Sequence, residues 1–310
     1  CRRTLPALGE PLARGASADI FLLGRDVVVK VFRSGYPRDR VESESRKVAV
    51  AVQAGVPTAA AGDVIEIGGR LALVMECVNG VTLTSLAVSG ELEPAAAGSV
   101  LAELHAAVHA DEGVSAARSL PSLVEHLAAV IERTETLSGI RGSARDENRP
   151  APGRGRSAEE RRAALLALLA DLGDGDVLCH GDVHPDNVLV PLTFHGAEDA
   201  TGRAHTAEQA ASGAPRLIDW ADAAHGPALA DVAQTVLLLK AVEIPGHIPG
   251  RAAIEELKHV LNAAYLERYF ALRPGSVEEV ERWLPLRAAS RLALGNPAET
   301  EALLAVIDRA

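Results

Sequence analysis

Aromatic side chains make up only 3% of this 310-residue chain, and methionine occurs once, at Met75. The core must therefore be built from Ala, Leu and Val, which are abundant along the helical stretches. Long apolar runs are missing too. No segment approaches the roughly 18 to 20 uninterrupted apolar residues that span a bilayer, and Cys1-Arg2-Arg3-Thr4-Leu5-Pro6 has no apolar signal core. A soluble, unexported protein with no membrane partner is expected. Cysteine is scarce: Cys1, Cys77 and Cys179 are odd in number and far apart, and no C-x-x-C pair occurs. That pattern excludes a disulfide framework or a zinc ribbon and fits a reducing cytoplasm. Positive charge is in deficit as well, and a net charge of −11 opposes broad contact with a phosphate backbone, so nucleic acid is not an expected partner. What is present in quantity is apolar content, 48% over a length that suits two domains. Disorder of the whole chain is excluded.

The pattern changes once along the chain. Leu5 to Leu12, Asp19 to Leu23 and Val27 to Phe32 read as strands of a meander, with turn signals at Arg14-Gly15 and Gly24-Arg25-Asp26. Arg40 to Ala54 reads as a helix stopped by Gly55 and Pro57. Val64 to Ile67 and Leu71 to Glu76, parted by Gly68-Gly69-Arg70, form a second hairpin. After Asn79-Gly80 helical periodicity takes over, over Pro94 to Ala110, Leu120 to Thr136, Ala158 to Leu172, Pro227 to Lys240, Arg251 to Ala271 and Ser276 to Leu294. Two polar segments, about 141–157 and 193–214, are expected to be mobile. The second separates Asn187 to Val190 from Arg216 to Ile218, which read as two arms of one hairpin.

The segment Val177-Leu178-Cys179-His180-Gly181-Asp182-Val183-His184-Pro185-Asp186-Asn187 carries the strongest chemical signal. Phosphoryl transfer needs a carboxylate at the attacking hydroxyl and an amide oxygen at the metal, and a kinase catalytic loop H-x-D-x-x-x-x-N supplies both. Asp182 and Asn187 have that spacing, and Leu217-Ile218-Asp219-Trp220 offers the second metal-binding carboxylate in Asp219. The alternation of His180, Asp182, His184 and Asp186 also suits a metallohydrolase, a rival that leaves Lys30 and Asp219 without a task. His105 and His109, at i and i+4 on one helix, read as packed structural histidines, since no H-E-x-x-H frame surrounds them.

Together these motifs resemble the aminoglycoside phosphotransferase and choline-kinase-like superfamily, and the resemblance extends over most of the chain. It implies an α+β, bilobal, protein-kinase-like fold with a small antiparallel β-rich N-terminal lobe over residues 1–78 and a mainly helical lobe over 79–310. It further implies roles by position. Ser17, in the turn Ala13 to Phe21, lies where phosphate is covered; Lys30, in Val27 to Phe32, binds phosphate and is held by Glu44; the backbone near Glu76 and Val78 reads adenine. Asn187 and Asp219 hold Mg²⁺, Asp182 receives the proton of the acceptor hydroxyl, and Asp231, in Gly226 to Ala233, braces the catalytic loop. The implied activity is transfer of the γ-phosphoryl group of ATP, or of GTP, to a hydroxyl of a small molecule such as an aminoglycoside or amino sugar. Two alternatives stay open: a kinase of another metabolite (an amino alcohol, a sugar or a homoserine-like compound), and a nucleotide-binding regulatory module without turnover. The oligomeric state has no signature in the sequence.

Overall fold

The computed structural model describes residues 8–138, 156–194, 209–211, 213–240 and 251–310. In chain order, β1 (Ala13–Arg14), β2 (Ala18–Leu22) and β3 (Val27–Phe32) lead to α1 (Arg38–Gln53), then to β4 (Ala61–Ile67), β5 (Arg70–Glu76) and β6 (Gly80–Thr82). Helices α2 (Leu83–Ser89), α3 (Pro94–Val108), α4 (Val114–Ala117), α5 (Leu123–Arg133) and α6 (Ala158–Leu172) follow. Strands β7 (Val177–Cys179), β8 (Val188–Phe194), β9 (Gln209–Ala211), β10 (Arg216–Leu217) and β11 (Ala224–Gly226) precede α7 (Ala228–Lys240), α8 (Arg251–Leu272), α9 (Val277–Leu292) and α10 (Thr300–Ile307). Contacts divide the chain into two compact units, one within Cys1–Glu93 and Pro185–Ala223, the other within Pro94–His184 and Ala224–Ala310. Among the described residues no helix is long and apolar enough to cross a membrane.

The first unit is built on an antiparallel sheet in the order β1-β2-β3-β5-β4. Its β4–β5 hairpin turns through Gly68 and Gly69, at φ 56° and 76°, the left-handed values that a two-residue turn demands and a side chain resists. Period-two alternation along β3 sends Val29 and Val31 to a cluster with Phe21 and Ala72. The opposite face carries Lys30 and Phe32, and Phe32 packs with Leu73, Met75 and Val41 of α1. On α1 the buried positions Val41, Glu44, Val48 and Ala51 form one helical stripe, so a carboxylate stands in an otherwise apolar row. A second sheet, β10-β8-β6, joins the 185–223 segment to this unit, with Leu217 opposite Val188 and Val81 opposite Val190.

The second unit is mainly helical. Helix α3 lies against α8 with Gly98 at the contact, where an added Cβ would stand 2.3 Å from the Leu261 carbonyl oxygen. A two-stranded ribbon, β7 with β11, sets Cys179 opposite Ala224 and presents the residues that follow Cys179.

Several sequence expectations are corrected here. The strand expected over Leu5 to Leu12 is not one in its described part, and the edge strand is instead Ala13–Arg14. Pro11 has no N–H for a ladder, and Gly9 adds backbone freedom. The 193–214 segment is not wholly loop: β8 continues through Phe194 and pairs with β9, Thr193 opposite Ala210. Residues 195–208 and 212, and residues 141–155 of the other expected mobile stretch, lie outside the described residues.

Candidate active site

Lys30 sits on the inner face of β3, with its side chain 10% exposed, in a place that strands give to apolar groups. Burying an ammonium is costly unless it is paired. Its Nζ donates to Glu44 Oε1 at 2.7 Å and to Asp219 Oδ1 at 3.0 Å, and lies 5.6 Å from the centre of the Phe32 ring. Burial works against the charge, yet the attraction of Asp219 and Glu44 outweighs it and lifts Lys30 above the ordinary lysine range. Burial also pushes the Glu44 carboxyl upward, against the pull of Lys30. Glu42 instead pairs with Arg38 at 3.7 Å on the exposed side of α1. The structure thus brings Lys30, Glu44 and Asp219 into one cluster.

Asp219 follows β10 with φ 67°, the only non-glycine residue at positive φ among those described. That conformation costs a residue with a side chain about 1 kcal/mol, and Asp tolerates it better than most. Neighbours hold it there. Trp220, fully buried, donates from Nε1 to Thr58 Oγ1 at 2.9 Å; Thr58 donates to the Leu217 carbonyl at 2.6 Å; Lys47 caps the Ala221 carbonyl at 2.6 Å. One residue before Asp219, the Ile218 N–H donates to the Asn187 carbonyl at 2.9 Å, which ties the turn just before β8 to the segment just after β10. A carboxylate and an amide oxygen are hard donors of the kind that suits Mg²⁺ rather than a thiophilic metal. The sequence pointed to both residues, whereas Thr58 and Lys47 carried no local signal.

The loop after β7 belongs to the second unit, and the chain passes to the first between His184 and Pro185. Gly181 has φ 87°, a value open to glycine, and this reversal explains Gly between His180 and Asp182. Asp231 in α7 receives the His180 N–H on Oδ2 at 2.6 Å and the Gly181 N–H on Oδ1 at 2.8 Å. On the other side, Thr235 donates to the Val183 carbonyl at 2.8 Å, and Arg287 of α9 donates to the Gly181 carbonyl at 3.2 Å and to Gln234 at 3.0 Å. Asp182 donates its own N–H to His180 Nδ1 at 3.2 Å, and its Oδ2 lies 3.4 Å from His184 Nε2. The Asp182 carboxylate is about one-third exposed, on a backbone held from Asp231, Thr235 and Arg287. Thr235 and Arg287 escaped the sequence reading because neither lies within a motif.

His105 and His109 are packed, as the lack of an H-E-x-x-H frame implies: both reach Asp231 Oδ2 through Nε2, at 3.1 and 3.3 Å. Burial, then the nearby His105, pushes His109 down to about 4, while Asp231 pulls the other way and Arg273 adds a smaller push. A histidine kept neutral in the fold but free to charge when unfolded makes the unfolded state the better proton binder between about pH 4 and 6.5. Stability should accordingly rise with pH through that window, by about 3 kcal/mol for a shift of this size. Denaturant melts at pH 4.5 and 7 should show a steeper pH dependence for the native chain than for His109→Gln; equal slopes would contradict the assignment.

The profile of the phosphotransferase enzyme family matches residues 9–197, more than half of the chain. The chain belongs to the phosphotransferase enzyme family. No curated protein matches it. Among solved structures, an aminoglycoside-3'-phosphotransferase of type VIII aligns at 22% identity over 91% of this chain and 92% of that one, with a TM-score of 0.53. Aminoglycoside phosphotransferase APH(3'')-Id from Streptomyces rimosus aligns at 16% identity over 89% and 90%, and ADP-bound APH(2'')-Ib at 15% over 97% and 94%, each with a TM-score of 0.53. At such identities the likeness establishes the kinase-like phosphotransferase fold, an antiparallel N-terminal sheet followed by a mainly helical remainder.

The remaining expected site residues of this phosphotransferase lie in the first unit. The Ser17 carbonyl accepts the Arg33 N–H at 2.9 Å, and the Arg33 guanidinium grips Asp19 through two bonds, of 2.6 and 2.9 Å, and the Gly15 carbonyl at 2.7 Å, stiffening the turn that holds Ser17. At the end of β5 the Glu76 N–H is committed to the Ala60 carbonyl at 2.8 Å and the Cys77 N–H to Asp26 at 2.9 Å. The Glu76 side chain, partly exposed, accepts from Arg216 at 2.9 and 3.0 Å. Cys179 is wholly buried and its thiol is raised, as expected of an inert core cysteine.

Proposed function

We propose that this phosphotransferase moves the γ-phosphoryl group of ATP, or of GTP, to a hydroxyl of a small molecule, and that the acceptor is an aminoglycoside or related amino sugar. The observation that carries the reading is the Lys30 ammonium held between Glu44 and Asp219, a cation kept charged in a buried strand position. In the proposed mechanism Lys30 steadies the α- and β-phosphates, Ser17 meets phosphate oxygens through its turn, and the backbone at Glu76 and Val78 reads the base. Asn187 and Asp219 would hold Mg²⁺, which when bound neutralises charge on the phosphates. Asp182 orients the acceptor hydroxyl for in-line attack and takes its proton. Position and charge, rather than covalent chemistry, supply the rate.

The aminoglycoside assignment draws on the acceptors named for proteins of like fold, and the net charge of −11 suits a polycationic acceptor. A coupled assay with ATP and Mg²⁺ against aminoglycosides, neutral sugars, amino alcohols and homoserine should give turnover with an aminoglycoside or amino sugar, and a mass gain of one phosphate on it. Turnover confined to another class would replace the acceptor. Nucleotide binding without transfer to any compound would favour a regulatory module.

A further inference from the structure

Asp231 is fully buried, and its two oxygens face four N–H-bearing groups: the amides of His180 and Gly181 and the imidazoles of His105 and His109. The amides bring their hydrogens by construction. A neutral imidazole does not, because its one hydrogen sits on either nitrogen and the partner of the other nitrogen decides which. In both histidines that other nitrogen, Nδ1, meets a phenol: Tyr265 at 2.7 Å from His105 and Tyr269 at 2.6 Å from His109. His105 of α3 and His109, the residue just past its end, stand at i and i+4, as do the tyrosines on α8, so the two segments face each other with two matched rungs. All five side chains are buried. Burial raises both tyrosines above their ordinary range, so each phenol keeps its hydrogen; that of Tyr265 has two acceptors in reach, His105 Nδ1 and the Thr235 hydroxyl, and that of Tyr269 has His109 Nδ1.

We propose that Tyr265 and Tyr269 are positioning residues for phosphoryl transfer: by donating to Nδ1 of His105 and His109 they fix Nε2–H toward Asp231, and Asp231 in turn fixes the backbone that carries Asp182. The proposal rests on the reading of Asp182 as the residue that meets the acceptor hydroxyl. A second chemistry uses the same atoms, since one ligand atom each from His105, His109 and Asp231 lie within 4.8 Å of one another, a spacing open to a metal ion. The two differ in where hydrogen sits. Metal ligation requires bare Nε2 atoms and Nδ1–H groups donating to the tyrosines; the proposed arrangement requires the reverse. Asp231 Oδ1 receives the Gly181 amide, and Oδ2 receives the His180 amide with both imidazole Nε2 atoms beside it, a crowding of donors that suits an ionised carboxylate.

The test begins with the unmodified protein. Nitrogen-15 spectra of histidine-labelled enzyme should show His105 and His109, assigned by His→Gln variants, with hydrogen on Nε2 and a bare Nδ1; the reverse pattern, or stoichiometric zinc lost in H109Q, overturns the proposal. Tyr265→Phe and Tyr269→Phe keep the rings and remove the hydroxyls. Each should lower kcat about tenfold and the pair about a hundredfold, with nucleotide affinity unchanged within about twofold. A purely structural role would lower Tm and leave kcat of the folded enzyme intact, and that result also overturns it. Asp182→Asn is measured alongside: if it retains turnover, the underlying reading of Asp182 falls too, whereas full activity in the tyrosine variants with a dead Asp182→Asn removes this inference alone.

Discussion

Asp182→Asn should lower kcat by about 10² to 10⁴, the usual contribution of a positioned acid–base group, while leaving nucleotide affinity near that of the native chain. The amide has the size of the carboxylate, and the loop beneath it is held from α7 and α9: Asp231 takes the His180 and Gly181 amides, Thr235 the Val183 carbonyl and Arg287 the Gly181 carbonyl. Loss of rate therefore reports the loss of a proton acceptor and not collapse of the loop. His184, 3.4 Å from Asp182 Oδ2, would lose an anionic neighbour, with little consequence for a partly exposed pair. Coupled kinetics and nucleotide titration on the same preparation check it, and an unimpaired rate removes Asp182 from the mechanism.

Lys30→Met should damage two properties at once. The methionine fills the stem's volume but leaves Glu44, 3% exposed, without the ammonium that lies 2.7 Å away. Removing one partner of a buried pair costs about 3 kcal/mol or more, moderated here because a carboxyl already pushed upward by burial takes up a proton. Nucleotide affinity should fall at least about tenfold, since the phosphates lose a charged donor. Adding Glu44→Gln to Lys30→Met separates the effects: melting should recover most of the lost stability, while nucleotide binding stays weak. Recovery of binding in the double variant would show that Lys30 acts only through packing.

The parts of the site readable in the sequence are those that lie close along the chain. Asp182 and Asn187 share one loop, Asp219 follows a short apolar strand, and Lys30 stands out as the one charge in a continuous apolar run. Glu44 falls in the buried stripe of α1, three residues after Val41 and four before Val48, whereas Glu42 falls outside it. The supports were not readable. Thr58 bonds Leu217 across 159 residues and Trp220 across 162, and Arg287 reaches Gly181 across 106. Such contacts leave no period and no motif in either segment. The three-residue strands β6 and β9 are likewise too short for alternation to show, and their pairing with β8 is decided by the sheet they join. The turn at Asp219, by contrast, violates a local preference, as functional positions tend to do, and its left-handed backbone is visible only in three dimensions.

Phosphate binding through a metal held by Asp219 is most directly tested by titrating ATP into the native chain and into Asp219→Asn, each with and without Mg²⁺. Asparagine tolerates the left-handed backbone of residue 219 and carries no charge, so the fold is kept while the ligand is weakened. The native chain should bind ATP more tightly when Mg²⁺ is present, and Asp219→Asn should lose most of that gain. An equal gain from Mg²⁺ in both proteins would contradict the assignment of Asp219 as the metal-binding carboxylate.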